Sequence, residues 1–191
     1  MTRVGLIRHG ITDWNIERRA QGHTDIPLNS EGLNQAEKLA KRLMSEPWDV
    51  IYSSDLSRAY LTAQKIADHK GMKITADQRL REMYCGLIEG TIEEDRINKW
   101  GADWRSLDLD IEKDEEVATR GYKVFTDIAA NHPNQNVLIV SHGALIGFSL
   151  KKLIPHVNTQ AHLGNTSLTI LTSTNNEWDC ERYNCTEHVK G

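Results

Sequence analysis

Residues Met1 to Asn15 read MTRVGLIRHGITDWN, and the rest of the chain is organised around them. The apolar run Val4 to Ile7 ends abruptly on Arg8, His9 and Gly10, and Thr12 and Asp13 then supply the residue types that start a helix. This order predicts a buried strand that delivers a cation and an imidazole to the edge of a sheet. Open α/β sheets bind their ligands at that edge.

Working outward, strand and helix signals alternate. A helical turn is expected over Asp13 to Arg18, and Gly22, Asp25 and Pro27 make Gln21 to Leu28 a surface loop. Asn29 or Ser30 caps a helix that runs to about Ser45, with Leu33, Ala36, Ala40 and Leu43 on its core face and Pro47 ending it. Val50 to Tyr52 form a short strand. Ser53, Ser54 and Asp55 each offer a cap for a helix from Leu56 to His69, which Gly71 stops. Lys73 to Thr75 make another strand, and the next loop carries Arg81, Glu82, Gly86, Glu89 and Gly90.

Thr91 to Ser106 is weakly helical, rich in Trp and charge, and reads as an insertion over the sheet. A long helix follows over Glu112 to Asn131; its opening acids Glu112, Asp114, Glu115 and Glu116 suit a solvated helix start. The clearest buried strand is Val137 to Val140, which ends on Ser141, His142 and Gly143 before an apolar helix, Ala144 to Ile154. Ser167 to Thr172, a turn at Asn175 and Asn176, and Trp178 to Asn184 close the chain as a hairpin. The expected fold is α/β: a mainly parallel sheet covered by helices on both faces, three layers in all, with an antiparallel edge.

Composition bounds the function. At 191 residues, with 39% hydrophobic and 26% charged residues, the chain makes one globular domain that buries roughly 70% of its unfolded surface. A net charge of -4 without a concentrated basic face argues against nucleic acid as a partner. The N-terminal apolar run is too short for a membrane span, so the expected location is the cytoplasm. Cys85, Cys180 and Cys185 have neither CxxC spacing nor an even count, and they read as reduced thiols without chemistry. No HExxH or clustered Asp and His set points to a metal.

In a parallel sheet, residues at neighbouring strand ends converge although far apart in sequence. Arg8, His9, Arg58, Glu82 and His142 all stand at such ends or in the loops beside them. Guanidinium groups bind phosphate oxygens in pairs and keep their charge. A neutral imidazole can attack phosphorus, and a nearby carboxylic acid can protonate the departing alcohol and then deprotonate water. Ser141 is a poor nucleophile for His142, because adjacent strand residues point to opposite faces.

The chain resembles the histidine phosphatase superfamily, in the branch of cofactor-dependent phosphoglycerate mutases and small broad-specificity phosphatases. The resemblance rests on LIRHGITDWN (Leu6 to Asn15), QGHTDIPLNSEGLNQA (Gln21 to Ala36), IYSSDLSRAYLTA (Ile51 to Ala63), REMYCGLIEG (Arg81 to Gly90), VLIVSHGALI (Val137 to Ile146) and LGNTSLTIL (Leu163 to Leu171). It implies a phosphoglycerate mutase-like fold, with His9 as the nucleophile that becomes phosphohistidine and Glu82 as general acid and then base. Arg8, Arg58 and His142 would surround the phosphoryl oxygens, Asn15 would contact phosphate, and Gln21 with Gly22 would lie where the following loop approaches it. It implies no cofactor and a small phosphorylated metabolite as partner.

Two departures matter. Ile88 stands where the family often has tryptophan, which touches packing behind Glu82 more than chemistry. The chain also lacks the length with which typical phosphoglycerate mutases enclose a phosphosugar acid, which favours hydrolysis over mutase-type transfer. A phosphate-binding module with little turnover is the remaining alternative. Specificity is expected from a lid, residues 91–120 with the loop Trp14 to Gly22; Trp14, Trp100 and Trp104 there are read first as packing residues.

Overall fold

The computed structural model describes residues 1–175 and 177–190. Its single six-stranded sheet has strands β1 (Thr2–Arg8), β2 (Val50–Ser53), β3 (Ile74–Ala76), β4 (Asn136–Ser141), β5 (Leu168–Thr174) and β6 (Glu177–Cys185), in the order β3-β2-β4-β1-β5-β6. The pairs β2·β3, β2·β4 and β1·β4 are parallel, whereas β5 and β6 add an antiparallel edge. Asn175 has a positive φ of 52° at the hairpin turn; Asn176, the other expected turn residue, lies outside the described residues.

Residues in the central strands alternate between two cores, as the period-2 geometry of strands requires. Val4, Leu6, Val137 and Ile139 face α5 (Asp114–Asn131) and α6 (Gly143–Leu153), meeting Phe125, Ile128, Leu145 and Leu150. Ile7, Leu138, Val140 and Ile51 face the opposite side, where α2 (Ser30–Leu43) and α3 (Ser57–Lys70) supply Leu39, Leu43, Ala59, Ala63 and Ile66. Burying each such Leu or Ile contributes about 1.5–3 kcal/mol. The result is the expected three-layer α/β/α arrangement.

Several local expectations are corrected. In α2 the buried face is Gly32, Ala36, Leu39, Ala40 and Leu43, and Leu33 is 39% exposed. Ala36, Ala40 and Leu43 are buried as expected, and Leu39 rather than Leu33 supplies the further apolar core position. The helix also ends at Leu43, ahead of Pro47. The Ser54 hydroxyl accepts from the N–H of Leu56 at 3.3 Å, just ahead of α3, but the first N–H within the helix is met by none of Ser53, Ser54 or Asp55. Instead Asp25, 32 residues earlier, accepts from the Ser57 N–H at 2.8 Å and from its hydroxyl at 2.7 Å. Gly71 stops α3 in the left-handed conformation, φ 65°, as expected.

The remaining helices are α1 (Asp13–Ile16) and α4 (Glu93–Trp100). One close approach fixes the loop after β1 against the start of α2. A Cβ on Gly10 would fall 2.6 Å from the Gly32 carbonyl oxygen, and one on Gly32 would fall 2.1 Å from that of Ile11. Two glycines therefore let the backbones touch where His9 leaves the sheet. The parallel register aligns Arg8 with Ser141, and Ser53 with Val140. Consequently the residues that follow, His9, Ser54 and His142, gather at one edge.

Candidate active site

The site is built from four segments that meet at this edge. His9 is buried just beyond β1, and its Nδ1 lies 2.6 Å from the Gly10 carbonyl oxygen. A carbonyl only accepts, so Nδ1 carries the proton and the lone pair sits on Nε2. Thr62 of α3 braces the same turn by accepting from the Gly10 N–H at 3.0 Å.

Arg58, in the first turn of α3, is fully buried. It donates to the carbonyl oxygens of Thr24 at 2.9 Å and Gly22 at 2.7 Å, pinning the loop that follows Gln21. Glu89 clamps that loop from the other side, accepting from the N–H groups of His23 and Thr24 and from the Thr24 hydroxyl. Arg8 donates through one terminal nitrogen to the Leu163 carbonyl oxygen at 2.5 Å and to His162 Nε2 at 3.0 Å. The buried Nε of Arg8 and the Nε of Arg58 have no partner, and neither does Nδ1 of His142. A buried polar atom without a partner costs about 1–3 kcal/mol, so these three atoms are candidates to meet a ligand.

Glu82 sits at the start of α6. Its carboxyl group accepts from the N–H groups of Met83 at 2.9 Å, Ala144 at 3.2 Å and Leu145 at 3.0 Å. Arg120 supports the backbone behind it by donating to the carbonyl oxygens of Arg79, Arg81 and Glu82. Ile88 packs with Trp104 and Leu109 in a small cluster of its own, so its substitution for tryptophan is absorbed away from the carboxyl group. Trp104 is thereby a packing residue, and Trp14 covers Gly90.

A cavity of about 190 Å³ is lined by Arg8, His9, Asn15, Gln21, Gly22, Arg58 and Glu82, together with Arg19, Met83, Cys85 and Ala144. Seven of the eight residues singled out in the sequence therefore share one cavity wall. Asn15 serves both its structural and its candidate role: its Oδ1 closes the capping box of α1 through Thr12, which leaves its amide N–H groups for the cavity. Gln21 is likewise buried, with its oxygen held by the Thr12 hydroxyl at 2.9 Å. The eighth residue, His142, is placed differently. It stands beside His9, ring centroids 5.2 Å apart, fully buried and outside that wall.

Ser54 fixes the orientation of His142. The Ser54 oxygen accepts from the Leu56 N–H and lies 2.9 Å from His142 Nε2. Where the Ser54 hydroxyl donates to Nε2, the His142 ring carries its own proton on Nδ1, which has no partner. Ser141, as its position on the strand required, turns away and donates to the Leu80 carbonyl oxygen at 2.7 Å.

Burial, aided by the neighbouring cations, favours the neutral form of both imidazoles. Burial holds the pKa of His9 well below its usual value, with Arg58 and Arg8 adding to the effect against the Gly10 carbonyl. Burial does the same to His142, reinforced by Arg58, His9, Arg8 and His23. Burial also lowers the two guanidinium values, opposed by Glu82. Cys85 is pushed up to about 12 by burial and by Glu82 and Glu89, so it stays a thiol.

The depressed histidines have a stability consequence whose sign is fixed. Below about pH 6.5 the unfolded chain binds two protons that folded His9 and His142 refuse. Their contribution is complete above that pH and is lost as pH falls from it toward the folded values, by up to about 1.4 kcal/mol per pH unit per histidine. Urea unfolding at pH 7 and pH 5.5 should show this loss, and His142→Gln should reduce the difference.

Two residues of the site are absent from the candidates named above, although Asn165 falls within the LGNTSLTIL segment. Asn165 donates to the His9 carbonyl oxygen at 3.1 Å, and His162 meets Arg8 as above; both lie in an irregular segment without periodicity. A second cavity, about 350 Å³, adjoins the first through Arg8, Glu82 and Ala144 and is walled by α6 and residues 159–163. No residue of 91–120 lines either cavity, whereas Asn15, Arg19, Gln21 and Gly22, from the loop named with it as a lid, line the smaller one. Among the described residues, no group of three His, Cys, Asp or Glu could hold a metal ion, the three cysteines are unpaired, and no helix is long and apolar enough to cross a membrane.

The sequence profile of the histidine phosphatase superfamily, branch 1, matches residues 4–186. The chain belongs to that superfamily. It is 32% identical over 194 residues to the Bacillus subtilis phosphatase PhoE, an uncharacterized phosphatase, covering 100% of this chain and 98% of the relative. It is 34% identical over 190 residues to a probable phosphoglycerate mutase, GpmB, of Yersinia enterocolitica, covering 93% and 88%. Among solved structures, a mycobacterial glucosyl-3-phosphoglycerate phosphatase in complex with inorganic phosphate superposes with a TM-score of 0.83 at 28% identity, covering 98% and 99%. As a histidine phosphatase the chain is an enzyme, in a family whose members include phosphatases and phosphoglycerate mutase-like proteins.

Proposed function

We propose that the chain is a metal-independent phosphomonoester hydrolase that works through a phosphohistidine on His9, with a small phosphorylated metabolite as substrate. The observation that carries this reading is the set of buried donors without partners, on Arg8, Arg58 and His142, around an imidazole whose free lone pair is on Nε2. In the first step the Nε2 lone pair forms a bond to phosphorus as the ester P–O bond breaks. Glu82 delivers a proton to the departing oxygen. Arg8 and Arg58 meet the charge on the phosphoryl oxygens, while Asn15 and Gln21 offer amide N–H groups to them. His142 supports this seat through its Nδ1–H from beside His9.

In the second step water attacks phosphorus, Glu82 takes its proton, and the P–N bond breaks to release phosphate and free His9. This sequence needs no cofactor. Phosphoglycerate mutase-type transfer uses the same phosphoenzyme with a sugar-acid hydroxyl in place of water, and the likeness to GpmB favours it as the second reading.

Release of inorganic phosphate from 4-nitrophenyl phosphate in excess EDTA tests the proposal against the alternatives. Steady release, with no interconversion of phosphoglycerates in a coupled assay, is the expected result. Interconversion without release would assign the mutase reaction, and neither activity would leave a phosphate-binding module.

A further inference from the structure

The larger cavity has no role in the chemistry above, but its position and lining are specific. It opens from Glu82, where the ester oxygen must lie, and follows one face of α6 through Ala144, Gly147, Phe148 and Lys151. That spacing of i, i+3, i+4 and i+7 keeps the four on one stripe, so the cavity is a channel along the helix axis. Lys151 stands about 10 Å of axis beyond Ala144. Helical side chains lean toward the N-terminus, and the Lys151 ammonium accordingly lies 4.9 Å from the Phe148 ring centroid. The charge thus sits against the side chain of Phe148, a residue about one helical turn beyond Ala144, whose N–H holds Glu82.

The surrounding charges leave that ammonium available. Its neighbour Lys152 pairs with Glu115, whereas no carboxylate among the described residues makes a salt bridge to Lys151. The facing wall, Thr159, Gln160 and His162, offers hydrogen-bonding groups without a carboxylate. His162 accepts from Arg8 on Nε2, which puts its own proton on Nδ1 as a further donor.

We infer that this channel seats the leaving group, and that Lys151 selects phosphomonoesters whose alcohol carries an anionic group about one helical turn from the ester oxygen. The inference rests on the hydrolase reading of the smaller cavity. It favours alcohols longer than a three-carbon acid, since a carboxylate close to the ester would stop at Glu82 rather than reach the ammonium.

Two aryl esters that differ only in charge at the far end test it: 4-carboxyphenyl phosphate and 4-carbamoylphenyl phosphate. The expected result is a ratio of kcat/KM near tenfold in favour of the carboxylate, retained in Lys151→Arg, lost in Lys151→Met and inverted in Lys151→Glu. A ratio of one in the wild-type chain, or a ratio unchanged in Lys151→Met and Lys151→Glu, would overturn the inference. If neither ester turns over, the hydrolase reading has failed separately. The same ratio is then read as the affinities of the two esters by calorimetry, where dependence on Lys151 supports the channel and independence refutes it.

Discussion

His9→Ala should lower kcat by about 10⁴-fold or more, the size of loss that follows removal of a nucleophile, while affinity for inorganic phosphate changes only a few-fold. The two halves of this expectation come from different parts of the site. The imidazole alone holds a lone pair free for phosphorus, because the Gly10 carbonyl fixes its other nitrogen. The anion seat, by contrast, is held without it: Arg58 is anchored by the carbonyls of Gly22 and Thr24, and Arg8 by that of Leu163. Initial rates with 4-nitrophenyl phosphate and calorimetric titration with phosphate check both. Loss of phosphate binding along with turnover would mean that His9 builds the seat as well as attacking from it.

Glu82→Gln should slow turnover by about 100-fold to 10,000-fold on esters with poor leaving groups, the usual worth of a positioned acid or base. The amide keeps one acceptor oxygen, enough for the Met83 and Leu145 N–H groups that now share Oε1. It faces the Ala144 N–H with a second donor, so that hydrogen bond is lost while the fold is retained. With 4-nitrophenol, which leaves without a proton, the first step should persist and the second should lag. Rapid-mixing experiments should then show a burst of nitrophenol followed by a slow steady rate. Equal slowing for good and poor leaving groups, with no burst, would remove Glu82 from proton transfer and leave it a structural cap of α6.

How much of this could be read from residues alone depends on where each signal resides. Strand ends are legible, because an apolar run that stops on charged residues can be buried only up to that point. Arg8, His9 and the segment Ser141 to Gly143 are legible for that reason, and the register of β1 on β4 brings them together. Helix faces were less sharp: Leu33 and Leu39 both fit a helical stripe in α2, and the contact with α3 selects Leu39. Contacts across the chain were not legible at all. Asp25 caps α3 from 32 residues away, and Glu89 clamps the loop that Arg58 holds.

The walls of the leaving-group channel show the same limit. Residues 159–162 have no periodicity and precede the LGNTSLTIL motif, so nothing in their order points to a site, and Lys151 looks like any lysine near a helix end. The Trp-rich insertion drew the expectation of a lid because of its composition. In the fold its Trp104 packs with Ile88 and Leu109, the packing role expected of it.

The central claim is that His9 carries the phosphoryl group between the two steps. Quenching the enzyme within milliseconds of mixing with substrate, then mapping the modified peptide by mass spectrometry and phosphorus NMR, tests it directly. The expected result is an acid-labile, base-stable phosphoryl group on Nε2 of His9, absent from His9→Ala and accumulating in Glu82→Gln. Phosphate release with no phosphoryl group on His9, or with one on another residue, would contradict it.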